Sequence, residues 1–483
     1  MPDRSYAAVM ARRSAIIEQA TGVKYELFER GGLAFDYESV MASVGLALEE
    51  VAAIQRDVSV GETPLLELRN LTRLARELAP PGKGARIVVK DEAANPSGSF
   101  KARRAALAVH RAKSLGYPGV VAATSGNYGA AVASQAAMRG LPCIVLQEVY
   151  DSSGRGQPEI LEKGRACEAY GAEVWQLTVG PELFYALLLV LEETGYFSAS
   201  LYTPYAVAGI ETLGWELGRQ VRERYGRAPD AVVVTHAGGG NVTGTARGLL
   251  AAGCAETQIV GASVDLRGLH MASDRDFNRK SFTTGHTGFG VPFLANPDRV
   301  DVPRNAARAL RYLDRYVTVT QGEVFYVTEA LAQLEGLERG PAGNTSLAAA
   351  FALAQELDRD AVLAVQETEY TGAGKHPNAQ LTFARELGIE VRRGHPRESD
   401  PGRVIAIPRS PDELAAEEWD LGAIKRSFLR GALGERLPST LSDEELAFLA
   451  AETKSTVETV ERWLGEHEAG GVEVDMGGRT ATA

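Results

Sequence analysis

Residues 95–103 read Asn-Pro-Ser-Gly-Ser-Phe-Lys-Ala-Arg and closely follow the apolar run at residues 87–89. This order predicts a buried strand, then a turn, then a helix with Lys101 at its start. The helix dipole and partial burial both disfavour an ammonium at that position, so both favour the neutral amine. A lysine activated in this way suits Schiff-base chemistry with a carbonyl compound. Taken alone, the motif is also compatible with a surface lysine after a Ser-Gly turn.

Two further glycine-rich turns also follow apolar runs and are followed by predicted helices. Residues 124–129 read Thr-Ser-Gly-Asn-Tyr-Gly after the apolar run 119–123. Residues 235–248 read Thr-His-Ala-Gly-Gly-Gly-Asn-Val-Thr-Gly-Thr-Ala-Arg-Gly after the apolar run 231–234. Each predicts a strand, a tight polar turn and a helix N-terminus, an arrangement that directs backbone N–H groups at an anion. Glycine lets the backbone approach such a ligand closely.

A dinucleotide-binding fingerprint is the competing interpretation of the third turn. Residues 238–240 are three glycines after a strand, and Asp265 ends the next apolar run. However, the glycines lack the G-x-G-x-x-G spacing, and the acid lies farther on than the roughly 20 residues expected. A dinucleotide site would also give no role to the turns at residues 95–103 and 124–129.

Taken in order, the three turns resemble the signature of fold-type-II pyridoxal-phosphate (PLP) enzymes, the tryptophan-synthase-β and threonine-synthase group. The resemblance begins at residues 61–65 (Gly-Glu-Thr-Pro-Leu) and includes residues 90–92 (Lys-Asp-Glu). It ends at residues 371–374 (Thr-Gly-Ala-Gly). It implies an α/β fold with two parallel-sheet domains and PLP in the cleft between them.

Composition and charge narrow the class of protein. The chain has 483 residues, 45% hydrophobic and 24% charged, which is typical of a globular protein. Its net charge of -12 argues against general affinity for nucleic acid or an anionic membrane. The longest apolar run, residues 183–191, is too short to span a bilayer, and the charged N-terminus is unlike a signal peptide. We therefore expect a cytoplasmic protein without nucleic-acid or membrane partners.

The segments alternate between strand-like and helix-like patterns, with strands predicted near residues 119–123, 143–147, 173–177 and 198–202. With the resemblance, this pattern predicts four parts. They are a helical N-terminal extension (1–59), a large PLP-binding domain (60–104 and 206–400), a small inserted α/β domain (105–205) and a C-terminal helical extension with a disordered tail (401–483).

Three segments outside the glycine turns also carry predictions. Residues 442–445 and 455–458 fit the capping box and predict two short helices, which either pack on the large domain or dock a partner. Residues 266–295 show no periodicity, and a loop of this length in an enzyme is often functional. We expect its His270 and His286 to contact substrate; polar surface histidines are the alternative.

Over its whole length the chain resembles the β subunits of 2-amino-4-oxopentanoate thiolase, the two-subunit enzyme of ornithine degradation. The matching stretches are residues 35–38, 90–104, 156–160, 178–185, 278–290 and 366–371. The resemblance implies a small α subunit as partner and a homodimer of the PLP subunit within a larger assembly. One departure from the wider PLP group is Ala102, where many relatives have an aspartate, which puts in doubt any transfer of their substrate specificity.

The implied reaction is thiolytic cleavage. The thiolate of coenzyme A attacks the C4 carbonyl of 2-amino-4-oxopentanoate, and cleavage of C3–C4 gives acetyl-CoA and alanine, expected as D-alanine. Lys101, freed from the cofactor, removes the α-proton. An ordinary thiolase uses an activated cysteine, but Cys143, Cys167 and Cys254 lie in no electropositive turn and have no metal or redox spacing. A stand-alone PLP lyase and a catalytically silent PLP-fold subunit are the alternatives, and the intact lysine argues against the latter.

The resemblance also implies roles for individual residues. Lys101 carries the cofactor, Asn127 contacts the pyridine 3-hydroxyl, and Thr371 is a neutral partner for the ring nitrogen. The phosphate is held by Gly238, Gly239, Gly240, Asn241, Val242, Thr243 and Gly244. The expected substrate contacts are Thr124, Ser125, Gly126, Asn127, Tyr128, His270 and His286, and no metal site is expected. No strong coenzyme A motif is visible, so either the 266–295 loop or the α subunit completes that site.

Overall fold

The fold comes from a computed structural model of the chain. It describes residues 3–30, 33–124, 126–150, 154, 156, 158–178, 182–200, 203–236, 239–265, 307–370, 376–400, 402–434 and 436–469.

The strands of the described residues are short and separated mostly by helices. They are β1 Glu29–Arg30, β2 Ala34–Phe35, β3 Leu65–Glu67, β4 Arg86–Asp91, β5 Val120–Thr124, β6 Cys143–Tyr150, β7 Glu173–Thr178, β8 Phe197–Ser198, β9 Ala231–Thr235, β10 Gln258–Val264, β11 Arg315–Val319, β12 Val362–Glu367, β13 Glu390–Arg393, β14 Val404–Ile407 and β15 Glu417–Glu418.

The helices of the same residues cover both faces of the sheets. They are α1 Tyr6–Ala11, α2 Arg13–Thr21, α3 Tyr37–Ala42, α4 Leu48–Arg56, α5 Arg69–Leu78, α6 Lys101–Ser114, α7 Asn127–Arg139, α8 Pro158–Ala169, α9 Glu182–Thr194, α10 Pro204–Tyr225, α11 Gly240–Ala251, α12 Gln321–Glu335, α13 Pro341–Ala354, α14 His376–Glu386, α15 Leu421–Leu433, α16 Asp443–Glu452 and α17 Val457–Ala469. None of these helices is both long enough and apolar enough to cross a membrane.

A seven-stranded sheet forms the larger framework, in the order β15-β11-β10-β9-β12-β4-β3. Its five central strands are parallel, while β3 and β15 pair antiparallel at the two edges. Successive residues of β4 belong to hydrophobic clusters on the two faces of the sheet. Val88 packs with α11 and the C-terminal helices, whereas Ile87 and Val89 pack with α5, α12 and α13. Burial on both faces explains why the central strands read as continuous apolar runs.

A second, four-stranded sheet is entirely parallel, in the order β7-β6-β5-β8. One face packs against α6 and α7, and the other against α9 and the N-terminal helices α1 and α2. Three of its strands lie close to the predicted positions. The fourth begins at Phe197 rather than residue 198 and ends at Ser198, and residues 201 and 202 lie outside the described residues. The predicted α/β architecture is confirmed.

The C-terminal helices pack on the large sheet, as one of the two sequence interpretations predicted. Four of their apolar side chains are buried in the same cluster as Val232 and Val234 of β9. These are Leu446, Leu449, Val460 and Leu464.

One of the two predicted capping boxes is correct and the other is wrong. Ser442 and Glu445 bond reciprocally at the start of α16. At α17 the cap is Thr456, whose hydroxyl accepts from the N–H of Thr459 at 3.2 Å. Ser455 cannot take that place, because its N–H still donates to a carbonyl of α16 and it belongs to the turn that ends that helix.

Arg103 lies in a fully buried charge cluster beside the lysine turn. Its guanidinium donates to Glu92 and to Glu216 of α10, each at 2.7 Å. The side chains of Arg103 and Glu92 are completely buried, and that of Glu216 is 10% exposed. Burial alone would raise the pKa of Glu216, but the hydrogen bonds and charge of Arg103 lower it to about 2. The arginine therefore forms ion pairs with two buried carboxylates at once.

Lys90 extends this cluster to the turn at residues 61–65. Its ammonium donates to the carbonyl of Thr63 at 2.7 Å, to Glu216 at 3.0 Å and to Gln220 at 2.9 Å. Burial lowers the pKa of Lys90, and the charge of Glu216 opposes that change. The cluster thus connects β4, α6, α10 and the 61–65 turn, which are distant in sequence.

We predict that Arg103→Met destabilises the chain by about 3–5 kcal/mol, because it leaves Glu92 buried without its ion-pair partner and Glu216 with Lys90 alone. Arg69→Met, a change at an exposed arginine of α5, is the matched control and should change stability by less than about 0.5 kcal/mol. Urea unfolding of both variants is the measurement. Equal unfolding midpoints for the two would contradict a central role for the cluster.

Candidate active site

The three glycine-containing turns of the sequence meet at the carboxyl ends of parallel strands. The lysine turn follows β4 and the triple-glycine turn follows β9, and β12 lies between these two strands in the large sheet. The asparagine turn follows β5 of the small sheet. In open α/β sheets this edge is where ligands bind. The fold therefore brings together turns that are far apart in the chain.

Lys101 is the first residue of α6, as predicted, and its side chain is partly buried. The turn before it pairs with the chain just after β12. The N–H of Phe100 donates to the carbonyl of Thr368 at 3.0 Å, and the N–H of Tyr370 donates to the carbonyl of Gly98 at 2.8 Å. These two backbone bonds fix the start of α6 against the end of β12.

Hydrogen bonds of the Asn95 side chain also stabilise the lysine turn. Ser97 and Gly98 both have left-handed backbone angles, with φ of 65° and 73°. For a serine this conformation costs roughly 1–3 kcal/mol and persists only where the surroundings impose it. The side chain of Asn95 supplies part of that support: its Oδ1 accepts from the N–H of Gly61 at 2.9 Å, and its Nδ2 donates to Glu92 at 2.8 Å.

Thr124 shapes the asparagine turn. Its hydroxyl accepts from the N–H of Gly126 at 2.9 Å and from the N–H of Gly129 at 3.1 Å. It therefore caps the start of α7, a structural task that the sequence analysis did not assign to it. The N–H of Gly126, one of the expected substrate contacts, is already used within the turn in this conformation.

Asn127 is held by an acid that the sequence analysis did not single out. Its Nδ2 donates to Glu369, which is 2% exposed and lies two residues beyond the end of β12. This contact joins the small sheet to the large sheet at the site. The available signal was the pair of acids in residues 366–371, a stretch that the sequence analysis used only for resemblance.

Glu367, the last residue of β12, is a second buried acid at this edge. Burial first, and then the nearby charges of Glu369 and Asp91, raise its pKa well above the ordinary value, while Arg339 opposes this. A Cβ at Gly343 would lie 1.7 Å from a carboxyl oxygen of Glu367, so only glycine fits there. Glu367 therefore packs closely against the first turn of α13, and its burial favours the protonated carboxyl.

The triple-glycine turn leads into α11. Gly239 has a left-handed φ of 77° and precedes Gly240, the first residue of the helix. The hydroxyl of Thr243 donates to the carbonyl of Gly239 at 2.9 Å, and the side-chain oxygen of Asn241 accepts from Gln366 at 2.7 Å. No lysine or arginine lies within residues 239–244, so an anion here would be bound by backbone N–H groups and the helix dipole.

Two of the residues predicted to bind the phosphate face another helix or the hydrophobic core. Val242 is completely buried in the apolar cluster of the large sheet. A Cβ at Gly244 would lie 2.5 Å from Ile210, so this glycine allows α11 to pack closely on α10. Their part in phosphate binding stays a prediction.

The residues at this edge fit PLP. Several buried polar atoms at this edge have no hydrogen-bond partner among the described residues, and Asn127 Oδ1, Gln366 Oε1 and Ser97 Oγ are among them. Buried polar groups are normally paired, so a polar ligand would satisfy them. A helix N-terminus without side-chain cations suits a phosphate, and a partly buried lysine at another helix start suits an aldehyde carbon.

Comparison with known proteins gives the family. The model of the "Pyridoxal-phosphate dependent enzyme" family matches residues 57–367. A 2-amino-4-ketopentanoate thiolase β subunit from an unknown prokaryotic organism is 65% identical over 458 residues, 95% of this chain and 97% of that protein. The protein of the same name from Acetoanaerobium sticklandii is 62% identical over 464 residues, 96% of this chain and 99% of that protein. The chain belongs to the 2-amino-4-ketopentanoate thiolase β-subunit family of PLP-dependent enzymes.

A solved structure supports the same fold. A threonine deaminase from T.th. is 26% identical, covers 68% of this chain and 99% of its own, and superposes with a TM-score of 0.53. The predicted membership of the thiolase β subunits (2-amino-4-ketopentanoate is 2-amino-4-oxopentanoate) is confirmed, and the dinucleotide interpretation is wrong.

Tyr128 has an unexpected environment for a substrate-binding residue of a thiolase β subunit. It lies in the apolar cluster of the small sheet, with the guanidinium of Arg104 4.7 Å from its ring centroid. Burial raises the pKa of its phenol to about 12. Its predicted contact with substrate is untested. The predicted substrate contacts of Ser125, His270 and His286 and the predicted cofactor contacts of Gly238 and Thr371 lie outside the described residues and are untested as well.

The three cysteines of this thiolase subunit are all buried. Burial raises the pKa of Cys143 and of Cys167 to about 12, and it also raises the pKa of Cys254. The thiolate is the nucleophilic form of cysteine, so these side chains are poor nucleophiles. This agrees with the sequence analysis, which found no activated cysteine.

We expect the triple variant Cys143→Ala, Cys167→Ala, Cys254→Ala, assayed together with the α subunit, to form acetyl-CoA within about threefold of the parent rate, because no cysteine supplies a thiolate. Thermal unfolding checks that the variant remains folded. A folded variant that loses activity a hundredfold would show that a cysteine takes part in the chemistry.

We also predict that Gly239→Val weakens PLP retention about 10–100-fold, because a branched side chain would displace a phosphate held by charge-assisted backbone bonds. Gly226→Val is the control, since this residue ends α10 with a similar φ of 72° and open space around it. Cofactor content after dialysis is the measurement. Equal retention in the two variants would place the phosphate elsewhere.

Proposed function

We propose that this chain is the PLP-carrying subunit of an enzyme that cleaves 2-amino-4-oxopentanoate with coenzyme A to acetyl-CoA and alanine. The structural observation that carries the proposal is the placement of Lys101, which is fixed at the start of α6 against the end of β12. The 62–65% identity with thiolase β subunits over nearly the full chain supports the choice of substrate.

The reaction is balanced without an additional reagent. The sulfur of coenzyme A bonds to C4, the C3–C4 bond breaks, and the proton lost by the thiol is matched by the proton gained at C3. When bound, PLP supplies the electron sink for the negative charge that develops on the amino-acid fragment. Because coenzyme A brings its own thiol, the subunit needs no nucleophilic cysteine.

The chain's own residues orient the reactants and move protons. The amine of Lys101 holds the cofactor and, when released, moves the proton at the α carbon. Glu369 orients the amide of Asn127 toward the pyridine 3-hydroxyl, and the α11 N-terminus from Gly239 binds the phosphate. Thr371 and Gly238 complete the ring-nitrogen and phosphate contacts in this proposal.

A small α subunit completes the enzyme in this proposal. The relatives are named β subunits, and the sequence analysis found no strong coenzyme A motif in this chain. We further propose that the PLP subunit forms a homodimer within the assembly, acts in the cytoplasm in ornithine degradation, and gives D-alanine. The large domain of residues 60–104 and 206–400 and the inserted domain of residues 105–205 enclose the reactants.

We predict that the chain alone binds PLP and amino-acid ligands but forms little acetyl-CoA until the α subunit is added. Acetyl-CoA is measured for the chain, the α subunit and their mixture, with 2-amino-4-oxopentanoate and coenzyme A under identical conditions. Full turnover by the chain alone would remove the partner requirement.

The same reactions also test the lyase alternative, which the structural similarity to a threonine deaminase keeps relevant. Ammonia is measured in parallel with acetyl-CoA. Ammonia release without acetyl-CoA in the complete mixture would overturn the thiolase proposal in favour of a lyase.

A further inference from the structure

Lys163 of α8 is a buried cation at the proposed active site that no step above uses. Its residue is 7% exposed, and its ammonium donates to the carbonyl of Tyr370 at 3.3 Å. A Cβ placed on Gly126 would lie 3.8 Å from Cγ of Lys163. The side chain therefore passes the asparagine turn and reaches the residue that follows Glu369.

The charge of Lys163 is poorly compensated. The carbonyl of Tyr370 is its one hydrogen-bond acceptor among the described residues, and no described carboxylate lies within ion-pair distance of it. An ammonium has three donors, and a buried charge is costly unless it is paired. Lys90, by contrast, is completely buried but bonds to Glu216 and two further acceptors. Lys163 is thus suited to an anion that the protein itself does not supply.

The N-terminus of α7 favours an anion at the same place. Gly126 caps this 13-residue helix, and the N–H groups of Asn127 and Tyr128 have no acceptor among the described residues. The positive end of a helix dipole stabilises negative charge within its first turn. The stem of Lys163 therefore passes the start of α7 at Gly126, and its ammonium lies at Tyr370, the residue after Glu369, which bonds to Asn127 of α7.

We propose that Lys163 binds the α-carboxylate of the amino-acid substrate. This assignment rests on the proposed function, which supplies an amino acid to the site. A carboxylate is small enough for a position that is more than nine-tenths buried. The cofactor phosphate is expected at the triple-glycine turn after β9, whereas the described contacts of Lys163 are with Gly126 and Tyr370, so the phosphate is not expected to compete for this lysine. Since the N–H of Gly126 is used by Thr124, the lysine provides the positive charge that the turn lacks.

The test compares two ligands that differ only in the carboxylate. The PLP-loaded chain is titrated with alanine and with alaninol, in which a neutral hydroxymethyl group replaces the carboxylate, and the absorbance change of the bound cofactor reports binding. Lys163→Met should weaken alanine binding about 10–100-fold, as expected for loss of a charged hydrogen bond. Alaninol binding should change by less than about threefold, because it makes no such bond.

Three controls keep the result interpretable. Lys163→Arg should recover most of the affinity for alanine, since it restores the charge. Lys113→Met, at an exposed lysine of α6, should bind both ligands as the parent does. Cofactor content and the thermal midpoint of each variant check the fold.

The contrary outcomes are distinct. Equal weakening of alanine and alaninol by Lys163→Met would mean a structural role, and unchanged alanine binding would place the carboxylate elsewhere. Loss confined to the KM for coenzyme A would assign the lysine to a phosphate, which also overturns the proposal. Because the titration uses no coenzyme A, it stands or fails independently of thiolysis by the complete enzyme.

Discussion

The guanidinium of Arg103, bonded to two buried carboxylates, is the contact on which the site depends. Charges removed from water are stable only where each has its partner at close range, so this cluster permits few alternative arrangements. Glu92 follows β4 and Glu216 belongs to α10, and Arg103 lies two residues beyond Lys101. The same contact that joins β4 to α10 therefore also sets the position of the lysine. A change at Arg103 is expected to alter stability and lysine placement together.

From this anchor the site extends through backbone pairing and one contact between the sheets. The lysine turn pairs with the residues after β12, and β12 in turn places Glu369 against Asn127 of the small sheet. Each sheet thus contributes one side of the site. Parallel strands make this possible because their carboxyl ends lie at one edge, where turns and helix starts converge.

The sequence predicted features that depend on neighbours in the chain. Strand, glycine turn and helix start follow from local pattern, so the positions of Lys101 and Asn127 at helix starts were predictable. Contacts between distant residues were not: Arg103 meets Glu216 across 113 residues, and Asn127 meets Glu369 across 242. Gly244 illustrates the same limit, since its proximity to Ile210 is visible only once α10 and α11 are packed. The predicted cap of α17 was wrong by one residue, because the N–H of Ser455 bonds to a carbonyl of the preceding helix and Thr456 caps α17 instead.

Covalent trapping of the cofactor tests most directly whether this arrangement makes Lys101 the reactive amine. The PLP-loaded chain is reduced with borohydride and digested, and the modified lysine is identified by mass spectrometry. The account predicts that the cofactor mass is found on the peptide with Lys101 and that Lys163 and Lys90 remain unmodified. Trapping at either of those lysines in the folded chain would contradict it.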